Sequence, residues 1–78
     1  MDKTPIDHSL TITPEQLDRA RRLIVSTQFA STSMVQRKLS FGLLKSMKIM
    51  DLLEAEGTVG PEREPHARNV LTPPPPGF

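Results

Sequence analysis

Two helical segments joined by a glycine turn dominate the middle of this chain of 78 residues. Residues 31–39 begin with polar side chains that can cap a helix, Gly42 lets the chain turn tightly, and an amphipathic segment then runs to Gly57. β-prone pairs at residues 58–59 and 70–71 follow, with a polar loop between them. Helix, turn, helix, strand, loop, strand is the order of a winged helix-turn-helix, which is mainly α with a small two-stranded β-wing.

A further helix is predicted ahead of these segments. Thr13 can cap it, Pro14 suits its first position, and Gln16 completes a capping box, so we predict a helix over residues 14–27. The last helix is predicted over residues 41–56. The chain is thereby divided into a flexible N-terminal arm, a winged-helix domain and a Pro-rich tail, over residues 1–12, 13–71 and 72–78.

The third helix carries more apolar residues than one narrow stripe needs. Four of them recur at helical spacing and are expected to face the core: Leu43, Met47, Met50 and Leu53, with Leu52 as the alternative to the last. Ile49 and Ser46 lie beside this stripe. Leu44 falls on the same side as Lys45 and Lys48, so we expect an exposed leucine there.

Composition excludes several classes of function. The chain has no cysteine, which excludes thiolate metal sites, and its two histidines, His8 and His66, lie far apart in polar contexts. We therefore expect no metal and no cofactor. The glycines do not form a phosphate loop, and the hydroxyl residues 31–33 are explained as helix caps, so no catalytic residue is assigned and no enzyme is expected. Without a signal peptide or a long apolar run, the default location is the cytoplasm, away from membranes.

Charge is segregated along the two central helices, although the net charge is only +1. Arg37 and Lys38 lie on the second helix. Lys45 and Lys48 lie in the first half of the third helix, while acidic residues gather in its second half and in the wing loop. The second helix of a helix-turn-helix reaches base edges in the DNA major groove, and the preceding helix meets phosphates. This pattern favours double-stranded DNA as the partner over a merely solvated helix face.

Two blocks of the sequence resemble the gamma domain of FtsK/SpoIIIE-type bacterial DNA translocases. The first is S-x-S-x-x-Q-R over residues 31–37, and the second is L-x-E-x-x-G-x-V-G-P over residues 52–61; R-N-V-L follows at residues 68–71. The resemblance implies a winged helix that recognises short, polarised, G-rich chromosomal sequences and orients loading of a ring-shaped motor. In FtsK, it also implies contact with the tyrosine recombinase at the chromosome dimer resolution site.

The chain departs from the family pattern in the recognition helix and in the wing. The family reads G-Y-N-R-A-A-R where residues 42–48 read G-L-L-K-S-M-K. Leu44 replaces an asparagine that can hydrogen-bond to a base, and lysines replace arginines that can bond bidentately. In the wing, residues 64–68 read E-P-H-A-R where the family usually has G-S-K-P-R, so weaker phosphate contact is expected.

We therefore expect a freestanding, gamma-like winged helix that lacks motor activity and binds double-stranded DNA with an altered sequence preference. Eight residues are assigned to the interface: Ser33, Gln36, Arg37, Lys38, Leu44, Lys45, Lys48 and Arg68. Of these, Lys45 and Lys48 are expected to enter the groove, and Arg68 to lie at the base of the wing. Leu44 is expected to pack on a thymine methyl group.

The alternative is a protein-interaction module in which Leu44 and its neighbours form a contact patch, with a DNA translocase or a tyrosine recombinase as the partner. The low net charge and the leucine at the asparagine position favour this alternative. The retained polar and basic residues favour DNA. Chromosome segregation, a mobile element and transcription all stay open as the setting.

Overall fold

The computed structural model describes residues 5–63 and 66–74. Three helices follow in chain order: α1, Pro14–Thr27; α2, Thr32–Leu39; and α3, Leu43–Ala55. α3 packs against both α1 and α2, and the described chain is mainly helical with little strand. The expectation of three helices is confirmed, with α3 beginning two residues later and ending one residue earlier than predicted.

A capping box fixes the N-terminus of α1. The Thr13 hydroxyl accepts a hydrogen bond from the Gln16 backbone N–H at 3.1 Å, and the Gln16 side chain accepts one from the Thr13 N–H at 3.1 Å. Pro14 follows in the first turn, where a missing N–H costs no helical hydrogen bond. The C-cap is Gln28, in the left-handed region at φ 54°, and its side chain donates to Thr72 O at 3.0 Å. The helix predicted over residues 14–27 is confirmed.

Ser40, rather than Gly42, adopts the left-handed conformation in the turn between α2 and α3. Ser40 has φ 57°, whereas Gly42 has φ −68°, which any residue can adopt. Glycine at position 42 matters for another reason: a Cβ there would meet the imidazole ring of the exposed His8, which would have to shift. Gly57, after α3, has φ 88° and does occupy the left-handed position that the sequence predicted.

The core lies where the three helices meet. Its buried apolar residues are Ala20, Ile24, Ala30, Met34, Val35, Phe41, Ile49, Met50, Leu53 and Val59. The expected burial of Met50 and Leu53 is confirmed, and Leu44 is exposed as expected. Leu52 is exposed.

The expectation that Leu43 and Met47 face the core is wrong, because their side chains are 52% and 45% exposed. The buried stripe of α3 instead starts at Lys45 and Ser46 and continues through Ile49, Met50 and Leu53, at the spacing of one helix face. Apolar residues lie on two sides of α3, so periodicity alone allows two rotations of the helix. Packing against α1 and α2 selects the rotation that buries Ile49.

The two β-prone pairs lie antiparallel after α3. Val59 and Val70 form a bridge, and hydrogen bonds of 2.9 and 2.8 Å on either side of it join residues 58–60 to residues 69–71. The pairing consists of single bridges. Residues 64 and 65, within the predicted wing loop, lie outside the described residues.

The N-terminal segment, expected to be a flexible arm, lies across the turn between α2 and α3. The Asp7 N–H donates to Ser40 O at 2.8 Å, and the Asp7 carbonyl accepts from the Gly42 N–H at 2.8 Å. This pairing fixes the segment at the start of α3. Residues 1–4 of the predicted arm and residues 75–78 of the predicted Pro-rich tail lie outside the described residues.

Candidate nucleic-acid interface

The outer face of α3 is the surface opposite its buried stripe. It comprises five exposed residues: Leu43, Leu44, Met47, Lys48 and Asp51. Because neighbouring members are three or four positions apart, or adjacent, they form one continuous strip. The strip is apolar apart from Lys48 and ends at the acidic Asp51. Leu44 is its most exposed apolar side chain, at 65%.

α2 presents a second polar surface. Ser33, Gln36 and Arg37 are spaced three and four positions apart and therefore share one side of the helix. Lys38 follows, and it is exposed like Arg37. A hydroxyl, an amide and two cations are the groups that proteins use to contact phosphate oxygens of DNA.

Lys45 is buried rather than available to a groove, contrary to the sequence-based expectation. Its side chain is 0% exposed, and its ammonium donates to Thr11 O at 2.6 Å and lies 3.1 Å from Asp7 Oδ2. The same ammonium lies 5.3 Å from the centroid of the Phe41 ring, within the range of a cation–π contact. A buried cation needs such partners, so Lys45 fastens the N-terminal segment to α3.

Both lysines of α3 contact the N-terminal segment, but to different degrees. The Lys48 side chain is exposed, and its ammonium donates to Leu10 O at 3.2 Å. The pKa of the Asp7 carboxyl is lowered, first by the hydrogen bond from the Ser9 backbone N–H and then by the Lys45 ammonium. Asp7 therefore stays ionised at neutral pH and keeps Lys45 paired.

Arg68 holds the segment after α3 against the helix. Its guanidinium lies 3.4 Å from Asp51 and 3.1 Å from Glu54, and only 10% of its side chain is exposed. Its backbone N–H donates to Ala30 O at 2.9 Å, ahead of α2. Two carboxylates offset the charge of Arg68, so its main contact is with the protein itself.

A groove of about 460 Å³ runs beside the outer face of α3. Phe29, Leu43 and Met47 supply its apolar lining, and the start of α2 at residues 31–33 and the segment at residues 66–68 supply most of its polar lining. The lining of the groove therefore combines apolar side chains with hydroxyl and charged groups.

Residues 5–63 and 66–74 contain no group of three or more histidine, cysteine, aspartate or glutamate side chains that could hold a metal ion. No helix in that part of the chain is both long and apolar enough to cross a membrane.

Comparison with known families now identifies the type of domain. The family model of the Ftsk gamma domain matches residues 13–73, which include all three helices and the paired segments after α3. The chain belongs to the FtsK gamma domain family. This family domain is a small DNA-binding or regulatory unit, distinct from the ATPase motor.

Relatives with the name DNA translocase FtsK match most of the chain. It is 46% identical to the Streptomyces coelicolor protein over 72 residues, which is 92% of this chain and 8% of the relative. It is 42% identical to the Mycobacterium tuberculosis protein over 73 residues, 94% of this chain and 9% of the relative. The Corynebacterium glutamicum protein is 48% identical over 60 residues, 77% of this chain and 6% of the relative. The chain thus spans less than a tenth of the length of these relatives.

Sequence reasoning missed two features of this surface. The pairing of Lys45 with Asp7 joins residues 38 positions apart and has no local signature. The exposure of Met47 was only weakly indicated by the sequence. Ser46 and Ile49 belong to an alternative buried stripe at helical spacing, but that stripe contains fewer apolar residues than the predicted one.

Proposed function

We propose that the domain is a winged helix-turn-helix that binds double-stranded DNA with sequence preference, with α3 as the recognition helix. The observation that carries this proposal is the exposed outer face of α3, together with the exposed cations at the end of α2, a helix that packs against α3. A helix that enters the major groove must be free on one side along its length, and the preceding helix must meet the backbone. The paired segments 58–60 and 69–71 would form the base of the wing.

Each element has a role in this proposal. Arg37 and Lys38 neutralise phosphates, and Ser33 and Gln36 donate to phosphate oxygens from the same helix. Lys48 contacts the DNA from the outer face of α3. Lys45 and Arg68 act indirectly: the first holds the N-terminal segment, and the second holds the base of the wing on α3.

Duplex binding as a function of salt tests the proposal. The variant Arg37→Ala/Lys48→Ala loses two exposed cations of the interface, and Arg19→Ala/Arg22→Ala loses two exposed cations of α1. Because each neutralised phosphate contributes about 0.9 to the slope of log affinity against log salt, the first variant should lower that slope by roughly 2. The α1 variant should keep the wild-type slope. Equal binding by both variants would remove DNA from this surface.

Protein recognition is the second candidate function, and the exposed apolar residues favour it. Phe29, Leu43, Leu44 and Met47 expose about half of their side chains or more in one region. Exposed apolar clusters of this kind mark binding surfaces. A DNA translocase or a tyrosine recombinase would then be the partner. This candidate predicts no duplex binding at low salt, whereas the first predicts its strongest binding there.

A further inference from the structure

The base-facing part of α3 is apolar in this protein. Leu43, Leu44 and Met47, the apolar triad, occupy adjacent positions in the first half of the outer face and are 52%, 65% and 45% exposed. The N-terminal half of a recognition helix is the part that contacts base edges. If α3 enters the groove, the triad is therefore buried against bases rather than against the backbone.

Two of the cations that could read guanine, Lys45 and Arg68, are held by other parts of the protein. Guanine presents two acceptors in the major groove and is read by arginine or lysine donors. The Lys45 ammonium is buried against Asp7 and Thr11 O, and the Arg68 guanidinium is paired with carboxylates of α3. Asp51, on the outer face, offers acceptors only and is mismatched to the acceptors of guanine. Lys48 is the one exposed cation on the outer face of α3.

We infer, on the basis of the proposed DNA binding, that the apolar triad makes α3 a reader of thymine methyl groups. The 5-methyl group of thymine is the apolar feature of the major-groove edge and packs against apolar side chains. Leu43 and Met47 can therefore pack on thymine methyl groups as well as Leu44, because the way α3 packs in the fold leaves all three side chains exposed. Burial of one methyl group is worth about fourfold in affinity. The preferred site should be thymine-rich opposite the start of α3.

Exchange of thymine for deoxyuridine tests this inference directly, since uracil keeps every hydrogen-bonding group of thymine and lacks only the methyl. Sites selected by the wild-type protein from random duplexes should be enriched in thymine. Each deoxyuridine placed at a contacted position should weaken binding about fourfold, and the losses should multiply when several positions are changed together.

Variants assign the effect to α3. In Leu44→Ala and Met47→Ala, the replaced side chain can no longer pack on a thymine methyl group. Deoxyuridine at the base position that this side chain contacts in the wild-type protein should therefore no longer weaken binding. Leu10→Ala removes a comparably exposed leucine outside α3 and should retain the full effect. All three positions are exposed, so the variants should fold.

The possible outcomes separate the two proposals. Equal affinity for thymine and deoxyuridine duplexes, or a selected site without thymine, would overturn the methyl-reading inference and leave DNA binding standing. Absence of binding to any duplex at low salt would overturn both.

Discussion

Replacement of Lys45 by methionine should destabilise the domain, whereas the same replacement at Lys48 should not. Methionine preserves most of the apolar stem of lysine and removes the ammonium. At position 45 this leaves Thr11 O without its 2.6 Å donor, inside a site where the lysine side chain is 0% exposed. A hydrogen bond from a charged donor contributes about 1.5–3 kcal/mol, so we expect a loss of about 2 kcal/mol. Lys48 is exposed, and its replacement should stay within about 0.5 kcal/mol.

Thermal unfolding followed by circular dichroism measures the difference. In a domain of this size, about 2 kcal/mol corresponds to a drop in Tm of roughly 8–16 °C. Lys45→Met should also speed amide hydrogen exchange at Asp7 and Gly42, because their backbone hydrogen bonds depend on the docked N-terminal segment. Equal Tm values for the two methionine variants would refute the structural role of Lys45. The reasoning would also fail if exchange at Asp7 were unchanged.

Three further predictions concern packing and pH. Leu53→Ala should cost about 2–5 kcal/mol in a denaturant titration, while Met47→Ala should cost less than about 1 kcal/mol; similar costs would mean that α3 is rotated differently. Gly42→Ala should lower Tm because its Cβ meets the His8 ring, and adding His8→Ala should restore most of the loss; failure of this rescue would point to another contact. The pKa of Glu56 is lowered, first by its hydrogen bond from Arg21 of α1. The stabilisation that Glu56 contributes is therefore complete above its ordinary pKa of 4.5 and is lost as the pH falls through the lowered pKa of the folded state. Glu56→Gln should therefore reduce the loss of Tm on acidification, and an unchanged acid profile would contradict this assignment.

Local chemistry made the helices predictable. Thr13, Pro14 and Gln16 satisfy the first N–H groups of α1 from within four residues, so that helix could be placed without knowledge of the rest of the fold. The same holds for Ser31 at α2 and for Gly57 after α3. The motif blocks over residues 31–37 and 52–61 likewise identified the family, which the family match confirms.

The exposed surface of α3 could not be predicted in the same way. Its apolar residues lie on two sides, and both rotations satisfy helical periodicity. The difference between Lys45 and Lys48 is also invisible locally: the two lysines are three positions apart, yet one is buried and the other exposed.

The sequence by itself determined where α1 begins and ends, the bounds of α3 to within two residues, and which family the chain belongs to, because capping and motif identity depend on neighbouring residues. Only the tertiary structure decided that Leu43 and Met47 join Leu44 on the outer face and that Lys45 leaves it. Those outcomes depend on how α3 packs against α1 and α2 and on the ion pair that Asp7 brings from the N-terminal segment. Contacts between residues distant in the chain decide both outcomes, and the spacing of residues within α3 cannot predict such contacts.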